Sequence, residues 1–118
     1  QFGCPTSAAD IATTLVTLTL RMIDDPQAPT GVYHFVNQGE TSWCGLAEEI
    51  FRVSGALGGP APKVEGIPTS AYPTKARRPA RSSLATTKLA ADFGVSPREW
   101  TTALADIIPL VLGKEATQ

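Results

Sequence analysis

The sequence contains few of the features that mark a secreted, metal-binding or membrane protein. It has two cysteines and one histidine, and it lacks an apolar run of the ~18 residues that a membrane-spanning helix needs. Cys4 and Cys44 have no CxxC spacing and no histidine cluster beside them, so we expect two reduced thiols and no metal site. These absences predict a cytoplasmic protein.

An excess of one charge is lacking as well. Ten Lys and Arg residues are balanced by eleven Asp and Glu residues, and the formal net charge is −1. This balance argues against binding to nucleic acid or to an anionic membrane through bulk charge. The motifs of phosphate loops, zinc proteases and serine hydrolases (GxGxxG, the P-loop, HExxH and GxSxG) are also absent. Short motifs therefore predict no catalytic centre.

What is present fits one domain or a part of one. The 118 residues are 42% apolar and 18% charged, which is close to the average of globular proteins, so the chain can bury a core. It starts without Met and runs at once into the turn at residues 3–6. We therefore expect a piece cut from a longer α/β protein.

Apolar periodicity predicts two helices in the first half of the chain. The first covers residues 8–24 behind the cap residue Ser7, and its apolar stripe is expected to pack. The second follows Thr41 or Ser42 as the cap and is stopped at Gly55.

Two further helices are predicted in the second half. One covers residues 83–93 and ends at Gly94, and the other begins in a capping box at residues 96–99. The apolar residues of this last helix that are expected to face inward are Trp100, Ala103, Leu104, Ile107 and Val111.

Between the helices, the sequence predicts two short strands and one long loop. Residues 32–36 are rich in β-branched and aromatic residues, residues 63–67 are a weaker candidate, and prolines divide the irregular segment 68–83. Inside the first strand, His34 is expected to be packed and hydrogen-bonded rather than catalytic. Trp43, at the start of the second helix, is expected in the core rather than as a stacking platform.

Residues 68–83 are called here the basic loop, because four of the ten basic residues fall within seven positions of it. Lys75, Arg77, Arg78 and Arg81 lie close to Tyr72. A guanidinium group matches the oxygens of a phosphate, so such a loop can clamp a phosphorylated ligand. From the residues alone, a solvated or ion-paired surface loop is the somewhat more favoured interpretation.

Several segments, taken in order, resemble the dTDP-4-dehydrorhamnose reductase family. The segments are QFGCPT at residues 1–6, GVYHF at 31–35, GETSW at 39–43, PTSAYPT at 68–74 and ARRP at 76–79. Together they are far more specific than any one of them.

The resemblance implies the fold of an extended short-chain dehydrogenase/reductase. Such enzymes combine an N-terminal Rossmann-like domain, which binds NADPH or NADH, with a smaller C-terminal substrate-binding lobe. Residues 1–118 resemble this α/β lobe alone, with a few strands, about four helices and the Rossmann core missing. The cofactor would then be bound by the missing N-terminal domain.

The resemblance also implies an activity for the intact enzyme. Members of the family reduce dTDP-4-dehydro-L-rhamnose to dTDP-L-rhamnose with hydride from NAD(P)H, and a Tyr-x-x-x-Lys pair supplies the acid. Neither Tyr33 nor Tyr72 has a lysine four residues later. We therefore expect no catalytic residue in this chain and no activity of the chain alone.

With the resemblance, the basic loop becomes the expected substrate-binding element. Arg78 is the first choice for the diphosphate, and Tyr72 and Thr74 are neighbouring hydrogen-bond donors. Arg77 and Lys75 are second choices.

The first residues of the chain are expected to border the same site. Gln1, Pro5 and Thr6 would lie there if this turn follows a sheet strand at its carboxyl edge, as the family pattern implies. One departure from the family pattern follows the basic loop: Ala85 occupies a position where the family commonly has Asp, which removes a helix cap or a partner for arginine.

The expected partner is a dTDP-sugar, with no nucleic acid and no membrane, and a homodimer is left open. Two alternatives also stay open. One is a reductase or epimerase that acts on another nucleotide sugar. The other is a non-catalytic regulatory or binding subunit of the same fold, as in relatives that regulate methionine adenosyltransferase.

Overall fold

A computed structural model describes residues 1–113, which contain four α-helices and one two-stranded sheet. The helices are α1 (Ala8–Asp24), α2 (Trp43–Ala56), α3 (Thr87–Phe93) and α4 (Trp100–Val111), the strands are β1 (Phe2–Gly3) and β2 (Thr41–Ser42), and a 3₁₀ turn covers Thr69–Ala71. The expected number of helices is confirmed. Residues 1–113 contain no parallel sheet of the Rossmann type.

The starts of α1 and α2 are fixed by serine caps, as the sequence predicts. The Ser7 hydroxyl accepts a hydrogen bond from the Asp10 amide at 3.2 Å, and the Ser42 hydroxyl accepts one from the Gly45 amide at 3.0 Å. Each cap satisfies an amide that has no partner inside its helix. Ser42 also ends β2, so the cap places the first turn of α2 directly beside the sheet.

The side of α1 that packs differs from the prediction. Thr14 is the buried residue of the helix, whereas Leu15 is 57% exposed and Met22 is also exposed. Thr14 faces a groove lined by Phe35 and Val95. Within residues 1–113, the apolar stripe of α1 is therefore largely uncovered.

The end of α3 agrees with the sequence, and its start does not. Gly94 adopts the left-handed conformation at φ 68°, which glycine tolerates without strain, and it ends the helix. The predicted start at residue 83 is wrong, because α3 begins at Thr87. The Ser83 side chain instead donates a hydrogen bond to Glu40 at 2.5 Å.

The predicted capping box before α4 is also wrong. The Gln38 amide donates to the Arg98 carbonyl at 2.8 Å, and the Trp100 amide donates to the Gln38 carbonyl at 2.9 Å. This pairing keeps residues 96–99 outside the helix, which begins at Trp100.

Neither predicted strand, 32–36 or 63–67, forms in the described part of the chain. One aromatic residue of the first segment packs against a helix instead: the Tyr33 hydroxyl donates to Asp92 at 2.6 Å, and the Tyr33 and Phe93 rings pack edge to face with their centres 5.3 Å apart. β-Branched and aromatic composition favours a strand only where a neighbouring strand offers its backbone groups.

Individual packing predictions for three residues fail as well. His34 is exposed rather than packed, Trp43 is 71% exposed and Val111 is 75% exposed. The buried apolar side chains are Leu89, Ala103, Leu104, Ile108 and Pro109, and α2 packs against α4. The core therefore lies at α3 and α4, and the start of α2 is left at the surface.

Among residues 1–113, no helix has the length and apolar character needed to cross a membrane.

Candidate functional site

A cleft of about 310 Å³ opens where three segments of the chain meet. Residues 1–5 contribute β1 and the turn after it, residues 41–43 contribute β2 and the start of α2, and the basic loop contributes Arg78, Pro79 and Ser82. The cleft therefore joins the first residues of the chain to the basic loop.

Strand β1 brings these segments together through its main chain. On one side, Phe2 is paired with Ser42 of β2. On the other side, the Phe2 amide donates to the Ala80 carbonyl at 2.7 Å, and the Ser82 amide donates to the Phe2 carbonyl at 2.9 Å. Because Phe2 is shared by both pairings, the two walls of the cleft are fixed relative to each other.

The wall beside α2 is aromatic. The indole of Trp43 lies largely in solvent at the cleft, and its N–H donates to the Gln1 side-chain oxygen at 3.1 Å. Phe2 lines the same cleft and is also partly exposed. Exposed aromatic faces bind flat or apolar groups, so this wall can take a base or a sugar ring.

Of the residues predicted to bind substrate, Arg78 lines the cleft. Tyr72 is 69% exposed, and Lys75 and Arg77 are exposed elsewhere on the basic loop. None of these three lines the cleft in the described structure.

Thr74 and Thr6 use their hydroxyl groups in local turns. Thr74 donates to the Ala76 carbonyl at 2.9 Å, and Thr6 donates to the Cys4 carbonyl at 2.9 Å. Gln1 and Pro5, which the sequence places at the border of the site, do line the cleft. Thr6 follows Pro5 in the chain and does not line the cleft.

Arg81 is held away from the ligand space by two partners. It forms an ion pair with Glu40, and its guanidinium carbon lies 4.8 Å from the centre of the Phe2 ring. Hydrogen bonds from Ser83 and from Arg81 hold the pKa of the Glu40 carboxyl below its usual value. Sequence reasoning did not single out Glu40, because a lone glutamate before a helix cap carries no signal of a partner 41 residues away.

The turn behind the cleft is fixed by a fully buried amide side chain. Asn37 accepts a hydrogen bond from the Ser7 amide at 2.8 Å and donates to Asp10 at 2.8 Å and to the Arg98 carbonyl at 3.3 Å. Its own main-chain amide donates to the Thr6 hydroxyl at 3.3 Å. One side chain thus ties the turn at residues 6–7 to the segment that precedes α4.

Asp10 connects this turn to α4 through an arginine. Arg98 contacts both oxygens of Asp10, at 2.8 and 3.1 Å, and it also donates to Asp106 at 2.8 Å. The Arg98 guanidinium lowers the pKa of Asp10 despite partial burial, and the hydrogen bond from Asn37 acts in the same direction. The two carboxylates raise the pKa of Arg98.

We expect the free energy of unfolding to fall in acid as this carboxylate is protonated. The pKa of Asp10 is lower in the folded than in the unfolded protein, so its contribution is complete above the unfolded value, about 4, and is lost as pH falls through the folded value. Urea unfolding of the full-length protein between pH 7 and pH 2 measures this. Asp10→Asn should lose stability at pH 7, and its deficit should shrink in acid.

Asp24→Asn, which changes an exposed carboxyl group at the end of the same helix, is the control for this prediction. An Asp10→Asn deficit that stays constant down to pH 2 would contradict the assigned role of the Asp10 charge.

Neither cysteine belongs to a metal site in the described structure. Cys4 and Cys44 are both free, and residues 1–113 contain no group of three or more His, Cys, Asp or Glu side chains placed to hold an ion. Cys44 donates to Glu48 at 3.0 Å, which raises the pKa of its thiol.

Residues 1–112 match the family described as the RmlD substrate binding domain. The chain belongs to this family. The resemblance found in the sequence is thereby confirmed, and the RmlD substrate binding domain here consists of the four helices and the small sheet described above.

Relatives of this RmlD substrate binding domain carry the name dTDP-4-dehydrorhamnose reductase. One from Sinorhizobium fredii is 38% identical over 98% of this chain and 40% of its own length. One from Burkholderia thailandensis is 41% identical over 85% of this chain and 36% of its own length. The chain thus spans about two fifths of the length of the curated relatives that it matches.

A solved structure has the same fold as this RmlD substrate binding domain over part of its length. The crystal structure of a dTDP-4-dehydrorhamnose reductase from Clostridium acetobutylicum matches with a TM-score of 0.77 and 34% identity. The match covers 95% of this chain and 36% of that one. The fold expected from the sequence is therefore confirmed.

Proposed function

We propose that residues 1–118 form the nucleotide-sugar-binding lobe of a cytoplasmic dTDP-4-dehydrorhamnose reductase. The whole enzyme would reduce dTDP-4-dehydro-L-rhamnose to dTDP-L-rhamnose with NADPH or NADH. The names of the relatives support this reaction class. The observation that carries the proposal is the cleft, in which Arg78 lies in the same space as exposed aromatic rings.

The chemistry of the cleft suits part of a nucleotide sugar. The Arg78 guanidinium provides a positively charged fork for phosphate oxygens, and the ring faces of Phe2 and Trp43 can pack against a base or a sugar. A volume of about 310 Å³ lies at the small end of the ~300–1,000 Å³ range of ligand pockets. The cleft therefore fits a portion of the ligand, and the remaining portion would contact other parts of the enzyme.

The role of the lobe in catalysis would be positioning. Hydride transfer needs a bound nicotinamide and a proton donor beside the carbonyl oxygen. The Tyr33 hydroxyl already donates to Asp92, and this contact raises the pKa of the tyrosine, while Tyr72 lies outside the cleft. We therefore propose that binding energy from the nucleotide holds the sugar in place while groups outside this chain carry out the reduction.

Titration of the full-length protein with nucleotides tests the proposal. We expect dTDP and dTDP-L-rhamnose to bind more tightly than dTMP, because the second phosphate supplies the group assigned to Arg78. UDP-glucose serves as the competing nucleotide sugar. Absence of binding to either dTDP ligand, or tighter binding of UDP-glucose, would contradict the substrate assignment.

A turnover assay separates the remaining candidates. With dTDP-4-dehydro-L-rhamnose and NADPH or NADH, we expect oxidation of the cofactor by the full-length protein and none by residues 1–118 alone. Tight binding of dTDP without any turnover by the full-length protein would favour the non-catalytic binding subunit.

A further inference from the structure

We propose that Glu40 is a positioning residue for Arg78, and that it acts by fastening the end of the basic loop to β1. The proposal rests on the function proposed above, because it gives Arg78 its role in binding the diphosphate. Glu40, Arg81 and Ser83 are called here the Glu40 latch.

The Glu40 latch joins two segments that lie on opposite sides of β1. Glu40 directly precedes β2, on one side of β1, and Arg81 and Ser83 lie on the other side. One oxygen of Glu40 pairs with Arg81, and the other accepts from Ser83 at 2.5 Å. Both carboxylate oxygens are thus used to hold the same short segment of the basic loop.

The Phe2 ring packs against the arginine of the Glu40 latch. The Arg81 guanidinium lies over this ring, and the Phe2 main chain is bonded to Ala80 and Ser82. A cation over an aromatic face and an ion pair on the same guanidinium favour one orientation of Arg81. The side chains and the main chain therefore fix the same register of the loop against β1.

This register determines where Arg78 lies. Among the described residues, the hydrogen bonds that join the basic loop to other segments involve residues 80–83. Arg78 and Pro79 enter the cleft immediately before these residues. If the latch opens, Arg78 is no longer held at the cleft, and the fraction of protein that can bind the diphosphate decreases.

The pairing also removes an unfavourable charge. Glu40 adjoins Thr41, which lines the cleft, so an unpaired carboxylate there would repel a diphosphate. Arg81 neutralises this carboxylate, and the cleft retains Arg78 as its charged group. Glu40 thus keeps Arg81 paired with a carboxylate and leaves Arg78 as the arginine of the cleft.

A mutant cycle on the full-length protein tests this inference, with dTDP as the probe. Glu40→Ala is expected to weaken dTDP binding by about five- to tenfold, because apparent affinity scales with the docked fraction of the loop. Glu40→Gln keeps one acceptor oxygen and should fall between Glu40→Ala and wild type. Glu65→Ala, the removal of another exposed carboxylate, should bind dTDP as wild type does.

The double variant distinguishes positioning from a general structural role. Since Glu40 acts through Arg78, Glu40→Ala combined with Arg78→Ala should bind dTDP within about twofold of Arg78→Ala alone. The proposal would be overturned if the loss of dTDP affinity in the double variant equals the product of the losses in the two single variants. It would also be overturned if Glu40→Ala binds dTDP with unchanged affinity. If Glu40→Ala does not fold, Glu40→Gln takes its place in the cycle, with the same criteria.

Limited trypsin digestion tests the latch without any ligand. The Arg81–Ser82 bond lies in the segment bonded to Phe2, whereas the Lys75–Ala76 bond lies in the exposed part of the loop and serves as an internal reference. In Glu40→Ala, cleavage after Arg81 relative to cleavage after Lys75 should rise about fivefold. An unchanged ratio overturns the latch, whereas a raised ratio in a protein that does not bind dTDP upholds it and overturns the proposed substrate.

Discussion

Replacing Asn37 by alanine is expected to lower the free energy of unfolding by about 3 kcal/mol, a large share of the 5–15 kcal/mol of a typical domain. The side chain is fully buried and has three hydrogen-bond partners: the Ser7 amide, Asp10 and the Arg98 carbonyl. Alanine leaves these groups without their partner at a position that is closed to solvent in the wild-type fold. Buried polar groups of this kind cost ~1–3 kcal/mol each when unsatisfied, with incomplete additivity.

Urea unfolding of the full-length protein at pH 7 measures this loss. Gln38→Ala is the matched control, because it removes the neighbouring amide side chain, which is exposed and has one long contact of 3.5 Å to Thr86. It should change the free energy of unfolding by less than about 0.5 kcal/mol. Similar losses for both variants would show that the Asn37 contacts do not stabilise the fold.

The same substitution should also affect the cleft. The Asn37 side chain holds the Ser7 amide, and the turn before Ser7 carries Cys4 and Pro5 in the cleft wall. We therefore expect Asn37→Ala to weaken dTDP binding even at temperatures where the protein is fully folded. The connection explains how a residue with no atom in the ligand space can influence the site.

Local chemistry explains which parts of the fold the sequence predicts well. The Ser7 and Ser42 caps and the glycine stop at Gly94 each depend on residues within one helical turn, so the pattern contains all the information needed. The capping box at residues 96–99 has the same local pattern, yet it is overridden, because Gln38 pairs with the backbone there.

Pairings between distant segments explain what the sequence could not predict. Glu40 meets Arg81 and Asn37 meets Asp10 only because β1 and α1 bring those segments together. The spacing of these residues along the chain has no periodicity from which such a contact could be inferred. Arg78 became the first choice for the diphosphate through the resemblance to the family, whose motif includes this loop. The contacts that Glu40 and Asn37 make are visible only in the structure.

The prediction that Trp43 is buried is wrong for a related reason. An apolar residue in the first turn of an amphipathic helix predicts burial, whereas here the indole lies at the rim of a cleft and donates to Gln1. Trp43 and Arg78 line the same cleft, and an exposed aromatic face offers a surface against which a flat group can pack. The exposure that makes the core prediction for Trp43 wrong therefore also places its indole in the candidate site.

Replacing Arg78 by alanine is expected to weaken dTDP binding by about 30-fold, because charge-assisted hydrogen bonds contribute about 2 kcal/mol and each 1.4 kcal/mol is a factor of ten. Arg78→Lys keeps the charge without the planar fork, so it should lose about fivefold. Arg77→Ala is the matched control, since it removes the adjacent arginine, which is exposed and does not line the cleft. Calorimetric titration of the full-length protein gives all three dissociation constants.

The choice of nucleotide sharpens this test of Arg78. Wild type should prefer dTDP to dTMP, and Arg78→Ala should lose most of this preference, because the group proposed to bind the second phosphate has been removed. Arg77→Ala should keep the preference. If Arg78→Ala still discriminates between the two nucleotides while Arg77→Ala does not, the diphosphate lies along the outer face of the basic loop, and the aromatic cleft beside β1 binds another part of the ligand.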